Sequence, residues 1–320
     1  MRWVTYESTD GQRVGVIDGD RVMGLPGERQ AAGSSLLDLL AAGPEAMAAA
    51  ALAAKRSPSE VSPLDTVVLA APLPRPPSVR DAVGFLDHIR GIRRALGVEE
   101  ELPPVWSEIP AFYFANAAAI VGPREPVCIP PGCQWFDFEL EVGAVIGKPG
   151  RDIHPDDGEF YIAGYTLYCD WSNRDVQSRE MQLGIGQGKA KDMAITLGPS
   201  LVTTDELEDY RRDGRLSFDV VASVNDRKLT DGTLDQMDWS FAELVAYASR
   251  GADLNPGDVI GSGTVPGGCL FEHLDTPNPA EFQGWLKPGD EVSLQSDALG
   301  MTRQTVLPTI GNLHRLHSGF

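Results

Sequence analysis

Short runs of alternating apolar and polar residues dominate the chain, and few stretches carry a helical period. Val14-Gly-Val-Ile-Asp-Gly-Asp-Arg-Val22 sets Asp18-Gly19 between two apolar runs, which predicts a hairpin with a type I′ turn. Leu36 to Lys55 includes the alanine-rich tract from Ala46 to Ala54 and reads as a helix by propensity. Pro72, Pro74, Pro76 and Pro77 then crowd one stretch that cannot be helical and suits an extended linker. We place a domain boundary there, near residues 70–80, dividing a small N-terminal β-rich domain (1–75) from a larger domain (76–320).

Strands dominate beyond the boundary. Asp81 to Gly97 allows a short amphipathic helix with Ile89, Ile92 and Leu96 on one face. Phe136 to Gly147 and Tyr161 to Tyr168 read as strands, and Ser217 to Asn225 as a strand entering a turn at Asn225-Asp226. Ser240 to Arg250 is the clearest helix, with Phe241, Leu244, Val245 and Tyr247 near one face. Leu254-Asn-Pro-Gly-Asp258 and Leu286-Lys-Pro-Gly-Asp290 repeat one device, Pro-Gly at the centre of a type II turn. No solenoid period is present. The class is α+β and β-rich.

Charge narrows the partners. The 320 residues carry 27 Lys+Arg against 46 Asp+Glu, a net charge of −19. A phosphate backbone or an anionic membrane surface would repel such a chain, so neither nucleic acid nor membrane is an expected partner. No window approaches the ~18 consecutive apolar residues of a bilayer span. The opening ten residues are too polar for a signal peptide, which points to a soluble cytoplasmic protein. Cys128, Cys133, Cys169 and Cys269 form no CxxC pattern and read as reduced, buried thiols. The 5 histidines are scattered without zinc-site spacing.

Two stretches carry candidate chemistry. On a strand, Asp137, Glu139 and Glu141 alternate with Phe138, Leu140 and Val142, so the acids share one face. That face is either a solvated sheet surface or a site for a hard cation such as Mg²⁺, Mn²⁺ or Ca²⁺, which would relieve the repulsion. In Tyr168-Cys-Asp-Trp-Ser-Asn-Arg-Asp-Val-Gln177, Asp170 ends an apolar strand, and Arg174 and Gln177 are spaced to face one way on a helical turn. The alternative there makes Asp170 or Ser172 a helix N-cap and Arg174 a surface ion-pair partner. Gly184-Ile-Gly-Gln-Gly-Lys189 fails the phosphate-loop spacing, with Leu183 and Ala190 at two required positions, and reads as a flexible loop delivering Lys189 or Lys191. Taken alone, His88 is an exposed helix histidine, and Gly261 to Gly268 is a mobile turn leading to Glu272.

Together, and in this order, Asp-Phe-Glu-Leu-Glu (137–141), Gly164-Tyr-Thr with Asp170 to Gln177, and Gly257-Asp with Gly263-Thr264 and Glu272 resemble the fumarylacetoacetate hydrolase family. The resemblance runs from about Asp81 to about Leu294, and the proline-rich boundary falls where that family joins a small N-terminal β domain to a catalytic domain. It implies a mixed β-roll catalytic domain, a homodimer and a divalent metal, Mg²⁺ or Mn²⁺ with Ca²⁺ as a third candidate. By position, Asp81, Glu139, Glu141 and Asp170 are similar to the metal ligands of the fumarylacetoacetase branch, and His88 and Glu272 to its water-activating pair. Arg174, Gln177 and Tyr113 resemble its substrate contacts, and Lys191, with Lys189 as competitor, its active-site lysine.

The implied activity is hydrolysis of a C–C bond in a 1,3-diketo or acylpyruvate-type acid. Decarboxylation, hydration, isomerisation and non-catalytic oxo-acid binding stand as alternatives. Three positions depart from the family pattern: Met193 for Phe, Ile195 for Thr with Thr196 as the nearest substitute, and Asn173 for a small residue.

Overall fold

The computed structural model describes residues 1–27, 35–274, 284–314 and 316. An eleven-stranded mixed sheet forms its spine. In spatial order ten of its strands are Val61–Pro63, Arg21–Gly24, Gly11–Asp18, Arg2–Ser8, Ile195–Thr203, Ile162–Asp170, Leu140–Ile146, Val259–Gly261, Val79–Ala82 and Phe112–Ala115. Ile120–Val121 adds to Ile195–Thr203 in parallel. A second sheet of five strands runs Arg227–Thr233, Asp219–Val224, Glu291–Ser296, Gly300–Leu307, Val127–Cys128. The two share one core, in which Leu140, Val142 and Leu167 meet Val220, Ala222, Leu294 and Val306. As expected, the chain is rich in strands and poor in helix.

The strands before the proline run extend the main sheet, because Arg2 and Trp3 pair antiparallel with Val202 and Leu201. Trp3, Val14 and Leu40 pack in one cluster with Val79, Val145 and Tyr168. Val79, Val145 and Tyr168 alternate in step with Asp81, Glu141 and Asp170, so this shared packing sets the N-terminal segment against the sheet face that bears those acids.

Local differences from the sequence reading have specific causes. The first hairpin forms, but Asp18 pairs with Arg21, so Gly19 and Asp20 are the turn residues. Only Gly19 has positive φ (62°), the signature of a II′ rather than a I′ turn. The alanine-rich helix is two helices, Leu36–Ala42 and Pro44–Arg56, because Gly43 at φ 92° ends one and Pro44 starts the next. The helix after Asp81 spans Leu86–Ala95 but buries Leu86, His88 and Gly91, leaving Leu96 59% exposed. The helix Phe241–Ala248 starts on a Ser240/Glu243 capping box. Both Pro-Gly turns form, with Gly257 and Gly289 at φ 91° and 96°. All four cysteines are free, yet only Cys169 and Cys269 are buried; Cys128 and Cys133 are half-exposed. No helix among the described residues is long and apolar enough to cross a membrane.

Candidate metal centre and acid–base pair

Three strands of the main sheet bring three carboxylates together. Asp170 ends Ile162–Asp170, Glu141 lies on Leu140–Ile146, and Asp81 lies on Val79–Ala82. Between the last two runs Val259–Gly261, whose Gly261 pairs with Asp81. A Cβ on Gly261 would sit 2.5 Å from Asp81 Oδ1 and 3.0 Å from Glu141 Oε2. The missing side chain is therefore what lets the two carboxylates approach across that strand.

All three acids are at most 1% exposed, and one ligand oxygen from each lies within 4.8 Å of the others. Asp81 Oδ1 and Asp170 Oδ1 are buried without a hydrogen-bond partner. Orphaned buried carboxylate oxygens are costly, and an all-oxygen set is the donor chemistry of Mg²⁺, Mn²⁺ or Ca²⁺. The residues fit a hard divalent cation. The solvated-face alternative for this strand is excluded, since Asp137, Glu139 and Glu141 are all buried. They also do not share a face in the expected way, because residues 138 and 139 interrupt the strand after Phe136–Asp137.

Glu139, the fourth expected ligand, stands beside this trio with its oxygens taken by cations. Its Oε1 accepts from Arg174 Nη2 at 2.8 Å and its Oε2 from Lys191 Nζ at 2.6 Å. Lys191, 1% exposed, also donates to Asp170 Oδ2 and Ser172 Oγ, each at 2.6 Å. Lys189 instead is exposed and pairs with Asp192, so Lys191 is the lysine inside the cluster. The loop that delivers it is held, not loose: Glu180 accepts the backbone N–H groups of Gly188, Lys189 and Ala190. Asn173 supplies the cap of the helix Arg174–Glu180, which releases Asp170 and Ser172 to the site. Thr196 does not replace the lost threonine, because its hydroxyl is bonded to Trp171 and Gln304.

Electrostatics follow from five buried carboxylates (Asp81, Asp137, Glu139, Glu141, Asp170) facing two buried cations (Arg174, Lys191). Burial pushes Glu141 well above the usual carboxylate range, and Asp81 adds to it. Asp81 is raised by burial, and Asp170 is pushed up to about 8 by burial against the opposing pull of Lys191. Glu139 goes the other way: burial opposes ionisation there, but Lys191 and Arg174 outweigh it. Tyr113 Oη faces Asp81 Oδ2 at 2.9 Å and Asp170 Oδ2 at 2.5 Å, so this expected substrate contact touches the candidate ligands directly.

A second constellation adjoins the first. His88 Nδ1 lies 2.7 Å from Glu272 Oε1, and the imidazole is close enough to Glu139 to favour its ionised form. Far from an exposed helix histidine, His88 is 7% exposed. The glycine-rich stretch is likewise ordered by these acids: Gly263 N–H donates to Glu141 and Gly267 N–H to Glu272, both at 3.0 Å. Glu272 lies on the turn Leu270–His273, whose first two N–H groups donate to Asp137. Asp137 also holds Arg174 Nε at 2.8 Å, while Arg174 Nη1 donates to Gln177 at 2.9 Å. Asp137 thus links the guanidinium to the turn carrying Glu272, a role that the alternation pattern did not signal.

Gly91 is the other residue that sequence reasoning missed. A Cβ there would lie 2.3 Å from Glu272 Oε2, so any side chain at 91 would have to displace the Glu272 carboxylate. Gly91→Ala is expected to push that carboxylate away from His88 and to destabilise by at most about 2 kcal/mol, an overpacking cost of about 1–3 kcal/mol less about 1 kcal/mol of helix propensity. Thermal unfolding checks this, and an unchanged Tm would show that Glu272 can move aside freely.

Comparison with known proteins agrees with this architecture. Residues 78–307 match the family described as fumarylacetoacetate (FAA) hydrolase C-terminal. The chain is 34% identical over 242 residues to oxaloacetate tautomerase FAHD2A, mitochondrial, of Homo sapiens, covering 75% of this chain and 70% of that protein. It is 31% identical over 312 residues to oxaloacetate tautomerase fahd2, mitochondrial, of Xenopus laevis, covering 96% and 90%. A crystal structure of a probable 2-hydroxyhepta-2,4-diene-1,7-dioate isomerase from Mycobacterium abscessus superposes with a TM-score of 0.72 at 29% identity, over 97% of this chain and 100% of that one. The sheet order, the buried carboxylates and these matches lead to one assignment: the chain belongs to the fumarylacetoacetate hydrolase family.

Proposed function

We propose that this chain is a divalent-metal-dependent hydrolase that cleaves a C–C bond in an acylpyruvate or related 1,3-diketo acid. The observation that carries the reading is the His88–Glu272 pair, 2.7 Å apart and beside the carboxylate cluster. Asp81, Glu141 and Asp170, with Glu139 adjoining, would hold Mg²⁺ or Mn²⁺. When bound, that ion supplies Lewis acidity to a chelating 2-oxo acid.

The chain's own groups then act on the remaining protons. Glu272 accepts from Nδ1–H, which leaves the Nε2 lone pair of His88 to take a proton from water. Hydroxide adds to the acyl carbonyl, the C–C bond breaks, and its electron pair stays on the pyruvate half. That carbanion takes the proton back from His88, giving pyruvate and a second acid. Lys191 and Arg174 each direct one donor to a neutral partner, Ser172 Oγ and Gln177 Oε1. A substrate carboxylate or developing oxyanion that displaced the neutral partner would take that donor without breaking an ion pair.

A second reading is keto–enol tautomerisation of an oxaloacetate-class acid, favoured by the human and frog relatives, which are named oxaloacetate tautomerases. It uses the same base but no water. Mass spectrometry of products from acylpyruvates, fumarylpyruvate and oxaloacetate with Mg²⁺ or Mn²⁺ separates the readings. Pyruvate plus a second acid is the expected result. Unchanged mass with accelerated loss of the enol form would replace hydrolysis by tautomerisation. Release of carbon dioxide would mean decarboxylation, and no turnover of any compound would leave a binding protein.

A further inference from the structure

We propose that His88, Cys269 and Glu272 form a second metal site, selective for Zn²⁺-class ions, whose occupation switches off the acid–base pair. The inhibitory half of this proposal rests on the reading of His88 as the base; the binding half does not. One ligand atom from each residue lies within 4.8 Å of the others. Cys269 Sγ is 3.6 Å from Glu272 Oε1. Zn–S and Zn–O bonds near 2.3 and 2.1 Å at a tetrahedral angle span about 3.6 Å, so that edge already has the required length. The His88–Glu272 edge would open from 2.7 Å to about 3.4 Å as its hydrogen bond is replaced by two metal bonds.

The donor sets explain selectivity. Sulfur, imidazole nitrogen and one carboxylate suit Zn²⁺ or Co²⁺, whereas the all-oxygen trio suits Mg²⁺. From outside, a cavity of ≈ 520 Å³ lined by Gly91, Gly267, Glu272 and His273 reaches one of the three ligands, Glu272. On binding, the Cys269 thiol releases its proton to solvent. The His88 proton moves from Nδ1 to Nε2, because Nδ1 now donates its lone pair to the metal. Nε2 is then unable to accept a proton, which abolishes the base without disturbing the carboxylate trio.

The test uses protein saturated with Mg²⁺ and titrated with Zn²⁺ by calorimetry, or with Co²⁺ by absorption. One additional ion should bind, with a thiolate-to-Co²⁺ charge-transfer band, and turnover should fall with its occupancy. C269S and C269A should lose the band and weaken Zn²⁺ by roughly 100-fold, with half-inhibition, relative to each variant's own rate, shifted to match. E141Q should lose Mg²⁺ but keep the Co²⁺ band. Unaltered Zn²⁺ affinity in both Cys269 variants, or a Co²⁺ adduct without the band, overturns the site. A Zn²⁺ adduct with full turnover retains the site but overturns its inhibitory role, and removes His88 from the reaction.

Discussion

Replacing His88 with alanine is expected to lower kcat by about 10²–10⁴-fold, the usual contribution of a positioned general base. Affinity for Mg²⁺ or Mn²⁺ should survive, because His88 belongs to the group with Glu272 and Cys269 and not to the carboxylate trio. The protein should also fold. His88 lies near the start of the helix Leu86–Ala95, and that start is held by the Asp238 carboxylate accepting from Leu86 N–H at 2.7 Å. Glu272 keeps Gly267 N–H as a donor when the imidazole is gone. Glu272→Gln retains an acceptor for Nδ1–H but loses the charge that stabilises an imidazolium, so its loss should be smaller than that of His88→Ala. Steady-state kinetics with metal affinity from calorimetry checks the pair of variants. Full turnover in His88→Ala would take His88 out of the chemistry.

Much of this site was legible in the sequence, and the legible parts share a cause. Asp81, Glu141, Asp170, His88 and Glu272 are individual chemical groups whose order along the chain carries the family resemblance. The structure brings them into two neighbouring clusters. What stayed hidden depends on contacts between distant segments. Gly91 and Gly261 read as ordinary glycines until the carboxylates they admit are placed against them. Asp137 looked like a third acid on one strand face, yet the break at residues 138–139 turns it toward Arg174 and the turn Leu270–His273.

The same distinction holds for the fold. The helix beginning at Ser240 and the two Pro-Gly turns are local devices and form as read. The helix Leu86–Ala95 is different. Its predicted apolar face lost to the face bearing His88 and Gly91, because tertiary contacts with Glu272 decide its orientation. The pairing of Arg2–Ser8 with Ile195–Thr203 joins residues nearly 200 positions apart, which no local pattern could specify.

Glu141→Gln should abolish the divalent-metal response and yet leave the metal-free protein at least as stable at pH 8. Charge sets the sign. Asp81, Glu141 and Asp170 have folded-state pKa values raised above the unfolded ones, with Asp170 near 8. A raised acid contributes stability that is fully present below its unfolded pKa, about 4, and is lost as pH rises through the folded value. Metal-free wild type should therefore lose stability between about pH 4 and 8 from these groups. A divalent cation binds the deprotonated oxygens, so its stabilisation grows over the same window, reaching about 2.7 kcal/mol at a hundredfold excess over Kd. The introduced amide would keep an oxygen for Gly263 N–H, which Glu141 Oε2 now accepts at 3.0 Å. One repelling charge is thereby removed together with one ligand. Thermal unfolding from pH 5 to 8, in chelator and in Mn²⁺, reads both effects. Wild type should show a metal-induced rise in Tm that increases with pH, and the variant should show neither the rise nor the full alkaline decline. A variant that still gains Tm with Mn²⁺ would remove Glu141 from the ligand set, and with it the account of why these carboxylates are buried together.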